Sequence, residues 1–128
     1  MAKAKILIID DEKLARTMLT DLLQGKGYTI VTAEDGASGL AAAQREKPNV
    51  IILDVLMPGM DGFEVCQALK NDAATTGIPV IILTASEEPH LTKKAFKAGA
   101  AFTLVKASKP ERLLSTLHLA LSLARPTS

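Results

Sequence analysis

The chain has 128 residues, 48% of them hydrophobic, with 15 Lys and Arg against 14 Asp and Glu. That length holds one domain with a real core, not two, and a net charge of +1 gives no broad electrostatic footprint for a large polyanion. The single Cys66 excludes an internal disulfide framework and reads as a small buried hydrophobe rather than a reactive thiol.

Trp is absent and there is one Tyr, so stacking platforms for single-stranded nucleic acid are not expected. No stretch has the length of a membrane span. The basic start MAKAK is followed by only four apolar residues, Ile6 to Ile9, before two aspartates. That pattern is a strand and not a signal-peptide core, and the expectation is a cytoplasmic chain.

In chain order, a first strand is expected at about Lys5 to Ile9 and a first helix at about Glu12 to Gln24. Leu14, Met18 and Leu22 recur along that helix at a spacing of four, with Ala15, Leu19 and Leu23 widening the apolar face. Gly25 and Gly27 end it. Tyr28 to Thr32 alternates as a short strand, Glu34-Asp35-Gly36 is a turn, and Ala37 to Arg45 is an alanine-rich helix. Lys47-Pro48-Asn49 leads into a third strand, Val50 to Leu53. Pro58-Gly59 marks a turn, and Asp61 is placed to cap a helix over about Gly62 to Leu69. After a polar loop at Asn71 to Gly77, Pro79 starts a fourth strand. Pro89 opens a helix in which Leu91, Ala95 and Ala98 face inward and Lys93, Lys94 and Lys97 face water. A fifth strand at about Ala101 to Val105 precedes a helix from Pro110 to Ala124. The whole is a doubly wound α/β arrangement, (βα)5, with parallel strands and right-handed crossovers. It forms a single domain over 1–128 with a core at about 5–124. The last helix carries more leucines than one buried face requires, so some are expected to point outward to a partner.

Four apolar runs end in chemistry. Ile6 to Ile9 run into Asp10, Asp11 and Glu12; Val50 to Leu53 into Asp54; Val80 to Leu83 into Thr84 and Ala85; Ala101 to Val105 into Lys106. If these are parallel strands, their ends share one sheet edge, where open α/β sheets bind ligands. Carboxylates crowded there call for a divalent cation with hard oxygen ligands, magnesium or manganese. A hydroxyl and an ammonium beside them suit the oxygens of a phosphoryl group. Glu12 is either a helix cap or a group standing behind the site. His90 and His118 suggest no metal site.

The fragments ILIIDDE at 6–12, ILDVLMPGMDGFE at 52–64, the Thr84-Ala85 pair, and KAGA at 97–100 followed by Lys106 closely resemble a response-regulator receiver domain. This is the phosphoacceptor module of two-component signalling, as in the single-domain chemotaxis response regulator. The resemblance covers roughly Lys5 to Leu121. It implies a flavodoxin-like three-layer sandwich with strand order 2-1-3-4-5. It also implies phosphorylation of Asp54 by the phosphohistidine of a sensor histidine kinase or phosphotransfer protein. Magnesium would be held by Asp11, Asp54 and the Leu56 carbonyl, with Asp10 acting through water. Thr84, Lys106 and the Ala85 amide would contact the phosphoryl group. Such a module catalyses its own phosphorylation and slow dephosphorylation rather than turning over a substrate. Its output would reach a downstream protein through helix four, strand five and helix five, and helix five offers a homodimer contact. No direct nucleic-acid or membrane partner is implied.

The chain departs from the family pattern at Thr103, where an aromatic residue is usual, at Ala107, where proline is usual, and at Ala101-Phe102, where an acidic pair is common. Two rival readings follow. A docking domain without a phosphorylation switch is favoured by Thr103 and Ala107 and opposed by the intact acid pair, acceptor, Thr and Lys. A magnesium-dependent phosphohydrolase would need an acid–base group, often two residues after the nucleophile, where this chain has Leu56. The Leu56 side chain is expected beside the path of attacking water. Leu56→Asn should therefore change the half-life of the acyl phosphate, measured by its decay after donor removal; an unchanged half-life contradicts this role.

Overall fold

Strands β1 (Lys5–Ile9), β3 (Val50–Asp54) and β4 (Val80–Thr84) are built almost wholly from Ile, Leu and Val. Side chains alternate across a strand, so such unbroken apolar runs are stable only where both sheet faces are covered. The computed structural model, which describes residues 4–55, 57, 59–86 and 88–123, covers them in that way. The two edge strands, β2 (Thr29–Ala33) and β5 (Phe102–Val105), are less buried. All pairings are parallel and the strand order is β2-β1-β3-β4-β5, as expected of the (βα)5 arrangement.

The helices are α1 (Lys13–Gly25), α2 (Gly36–Glu46), α3 (Gly62–Asn71), α4 (Pro89–Lys97) and α5 (Pro110–Leu123). Alternate strand residues point to two separate cores. Leu7, Ile9, Ile51, Leu53 and Ile82 pack with Ala42 and Ala43 of α2, Val65, Cys66 and Leu69 of α3, and Ala95 of α4. Ile6, Ile8, Val50, Ile52, Ile81 and Leu83 pack with Leu23 of α1 and with Leu113, Leu117 and Ala120 of α5. The result is three layers, with α1 and α5 on one face and α2, α3 and α4 on the other. Cys66 is buried, and that burial, opposed by the charge of Lys70, pushes its thiol pKa up to about 11.

Helix ends follow local chemistry. Asp35 accepts from the Ser38 amide at 2.8 Å and Asp61 from the Glu64 amide at 2.9 Å, each within a reciprocal capping box. Pro89 stands at the start of α4, where its missing N–H costs nothing. In the α3–β4 connection the Thr75 hydroxyl donates to the Leu69 carbonyl at 2.6 Å, and Lys70 Nζ donates to the Thr76 and Ile78 carbonyls.

Several expectations need correction. The first helix does not bury Leu14 and Met18, which are 70% and 63% exposed. Its buried stripe runs through Leu19, Leu22 and Leu23. At about 3.6 residues per turn that stripe rotates Leu14 and Met18 away from the sheet. Helix α3 continues two residues past Leu69 to Asn71, and β2 begins one residue late, at Thr29, because the Tyr28 amide donates back to the Leu23 carbonyl of α1 at 3.1 Å. On α5 the surplus is limited to Leu119 and Leu123, each 56% exposed. The turn residue Pro58 and the helix end at Ala124 lie outside the described residues. Among those described, no helix is long and apolar enough to cross a membrane.

The start of α3 is pressed onto the end of β3. The Gly62 amide donates to the Val55 carbonyl at 3.0 Å. A Cβ at Gly62 would overlap the Asp54 carbonyl oxygen and come to 2.6 Å from Val55 Cα, both backbone atoms that cannot swing aside. Gly62→Ala should therefore destabilise the fold by about 1–3 kcal/mol, read from urea unfolding; a midpoint equal to wild type would contradict this close approach.

Candidate functional site

The carboxyl edge of the sheet is extended past its strands by backbone hydrogen bonds. Asp10 donates its amide to Ala33 O at 3.1 Å, Val55 to Leu83 O at 3.1 Å, and Lys106 to Thr84 O at 2.7 Å. These bonds fix the chain just where the apolar runs give way to polar residues. They bring Asp10, Asp54, Thr84 and Lys106 to one edge, as expected.

Asp10 and Asp54 are buried, at 1% and 3% exposure, whereas Asp11 is exposed. Burying a carboxylate without compensation is costly, and compensation comes from one side chain. Lys106 Nζ lies 3.2 Å from Asp54 Oδ2, 3.1 Å from Asp10 Oδ2 and 3.0 Å from Glu12 Oε1. Burial acts against the Lys106 ammonium, but the close carboxylates of Glu12, Asp10 and Asp54 outweigh it and hold its pKa above the ordinary value. Asp10 also accepts the Glu12 amide on Oδ1 at 2.9 Å, and its own carbonyl accepts from Arg16 Nη1 at 2.8 Å.

One carboxylate oxygen from each of Asp10, Asp11 and Asp54 lies within 4.8 Å of the others. Asp10 Oδ2, though close to Lys106, is buried with no hydrogen-bond partner of good geometry. A buried, unsatisfied carboxylate oxygen beside two further carboxylates fits a hard divalent cation. The Leu56 carbonyl, expected to complete that set, lies outside the described residues.

Thr84 is buried, and its hydroxyl donates to the Ser86 carbonyl at 2.7 Å. It is thus at the expected edge but engaged with its own loop. Ala85 is exposed there. Thr103 leaves space: with Thr84, Ser86, Thr92 and Arg112 it lines a largely polar cavity of about 150 Å³. Phe102 packs into the opposite core, on the α1 and α5 side. There is no cis peptide bond among the described residues, so the Lys106-Ala107 bond is trans. Glu12 was the residue least specified by sequence. As the residue preceding α1 it makes no side-chain cap and reaches Lys106 instead. The signal that could have identified it is the third acidic residue in a row after β1.

Known proteins share this arrangement. The sequence model of the response regulator receiver domain matches residues 6–118. PilH of Pseudomonas aeruginosa is 38% identical over 119 residues, covering 93% of this chain and 98% of PilH. Several other curated relatives are longer, and the chain spans 23% of one and 50% of another. The chemotaxis protein CheY4 of Vibrio cholerae superposes with a TM-score of 0.88 at 39% identity, over 93% of this chain and 99% of CheY4. The receiver domain of the sensor histidine kinase PA1611 of Pseudomonas aeruginosa shares the fold, with a TM-score of 0.87 at 24% identity over 94% of this chain and 99% of that domain. In that protein a magnesium ion is coordinated in the active-site cleft. The edge chemistry, the strand order and the matched span together show that the chain belongs to the response regulator receiver domain family.

Proposed function

We propose that Asp54 accepts a phosphoryl group from the phosphohistidine of a sensor histidine kinase or phosphotransfer protein, in the cytoplasm. The observation that carries this is the burial of Asp54 at the end of the central strand with Lys106 Nζ 3.2 Å from its Oδ2. Receiver domains work between histidine kinases and downstream targets, and the reading places this chain there as a single domain with a core at about 5–124.

Transfer of this kind asks the protein for position and charge compensation rather than covalent machinery. An Asp54 oxygen attacks phosphorus in line. The new oxygen–phosphorus bond forms as the phosphorus–nitrogen bond breaks, and the electron pair returns to the donor histidine, which leaves as imidazole once protonated. Lys106 offers a compact positive charge to the transferring oxygens. Asp11 and Asp54, with the Leu56 carbonyl and with Asp10 acting through water, would hold magnesium, or manganese in its place. That ion would offset the charge between an anionic acceptor and an anionic donor. Thr84 would release Ser86 and donate to the phosphoryl group, and the Ala85 amide would hold another of its oxygens.

The movement of Thr84 would carry the loop that leads to α4. Output through α4, β5 and α5 is supported by exposed Phe96 on α4 and by Leu119 and Leu123 on α5. The two leucines also offer a contact for a second copy. Thr103 makes the space beside Thr84 polar and open, so the switch here would work without an aromatic ring.

The test is intact-mass analysis after incubation with acetyl phosphate and magnesium. With this donor the acetyl oxygen–phosphorus bond breaks and acetate leaves. Wild type should gain one phosphoryl group, only with magnesium, and Asp54→Asn should gain none. Amide exchange on the phosphorylated sample should change over α4, β5 and α5. A phosphoryl group that remains on Asp54→Asn, or none on either protein with acetyl phosphate and with a phosphohistidine donor, would overturn the acceptor reading. Phosphorylation without any change in exchange on that face would overturn the output reading and favour a docking domain.

A further inference from the structure

We infer that Glu12 is a positioning residue that acts through Lys106, closing the mouth of the site with a negative charge that an incoming phosphoryl donor has to displace. The inference rests on Asp54 being the phosphoacceptor.

Glu12 occupies the N-cap position of α1, with extended backbone (φ −87°, ψ 117°), but makes no side-chain cap bond. Such a position ordinarily uses its side chain on the first turn of the helix. Here the side chain is directed elsewhere, to Lys106 at 3.0 Å, across a sequence separation of 94 residues. Its backbone is anchored meanwhile, since the Glu12 amide donates to Asp10 Oδ1 at 2.9 Å. The direction of the carboxylate is therefore set by a fixed backbone and by attraction to Lys106.

The Lys106 ammonium donates to Glu12 and Asp54 and lies 3.1 Å from Asp10 Oδ2 without a well-formed bond, so three carboxylates share its charge. A phosphoryl group that is to contact Lys106 competes with them for that charge and for the space around it. The Asp10 and Asp54 side chains are 1% and 4% exposed and stand on strand ends. The Glu12 side chain is 66% exposed and has the longest stem of the three. An ion pair this exposed is weak enough to open, so Glu12 is the partner that leaves. Until it does, it neutralises part of the charge that would attract an anionic donor, and adds repulsion of its own. The expected consequence is weaker apparent binding of small anionic donors, with the chemical step itself little altered.

The experiment compares wild type with Glu12→Gln at saturating magnesium, following phosphorylation by acetyl phosphate with quenched intact-mass time courses. The half-saturating acetyl phosphate concentration should fall about 1.5-fold to fivefold in the variant, the ratio appropriate to an exposed ion pair. The maximal rate should stay within about twofold, and the difference between the two proteins should shrink at roughly 0.5 M salt, where screening is strong. A second readout needs neither metal nor donor. Acylation of Lys106 by an amine-directed acetylating reagent, measured by peptide mass against exposed Lys13, should rise severalfold in Glu12→Gln. Phosphorylation of both proteins with the same half-saturating concentration, or unchanged acylation of Lys106, would overturn this inference and leave the acceptor reading standing. No phosphorylation of either protein, by acetyl phosphate and by a phosphohistidine donor alike, would overturn the acceptor reading and this inference with it.

Discussion

The arrangement depends on one ammonium among crowded carboxylates. Asp10, Asp54 and Glu12 all lie within 3.2 Å of Lys106 Nζ, and Asp11 stands beside them. Without that cation, two carboxylates at 1% and 3% exposure would face each other in a poorly solvated edge, a strongly unfavourable arrangement. With it, their negative charge is compensated and both are aimed at one small volume. The cluster is still acid-rich after Lys106 is counted. Asp10 Oδ2 lacks a well-formed hydrogen bond, so further positive charge is called for. Three carboxylates within 4.8 Å of one another fit a hard divalent cation.

The fold supplies the precision that this cluster needs. Three central strands of Ile, Leu and Val are held between two apolar layers, and dense packing of that kind leaves strand ends little freedom. The polar residues begin where the cover stops. Backbone bonds from Asp10, Val55 and Lys106 continue the ladder one step further, so the clustered polar side chains stand on ordered backbone although they lie at the start of loops. Gly62 brings α3 against the same strand end, and its lack of a Cβ is what permits the contact. Core packing and site geometry are two consequences of the same strand sequences.

Much of this was legible in the residues. Short runs of β-branched residues and leucine ending in Asp, Thr or Lys state both the strand and the edge, because an apolar run in a parallel sheet has to stop where solvent begins. The α1 face was misread because leucines and methionine occur on more than one side of that helix. Periodicity alone could not say that Leu19, Leu22 and Leu23 were the buried set. The partner of Glu12 was not legible because a contact across 94 residues leaves no local pattern. The direction of the Thr84 hydroxyl, toward Ser86, was likewise set by loop geometry and not by residue type. Thr103 was recognised as a departure, and the polar cavity it borders is the structural form of that departure.

The most direct measurement of the central claim is a magnesium titration of the free protein followed by amide chemical shifts. If the carboxyl edge is a divalent-cation site completed by Asp10, Asp11 and Asp54, saturable shifts should cluster at those residues and at their neighbours Glu12, Val55 and Lys106. They should be lost in Asp11→Asn while the fold is kept. Shifts scattered over surface acids such as Glu34, Glu64 and Glu111, or a clustered response unchanged in Asp11→Asn, would contradict the account.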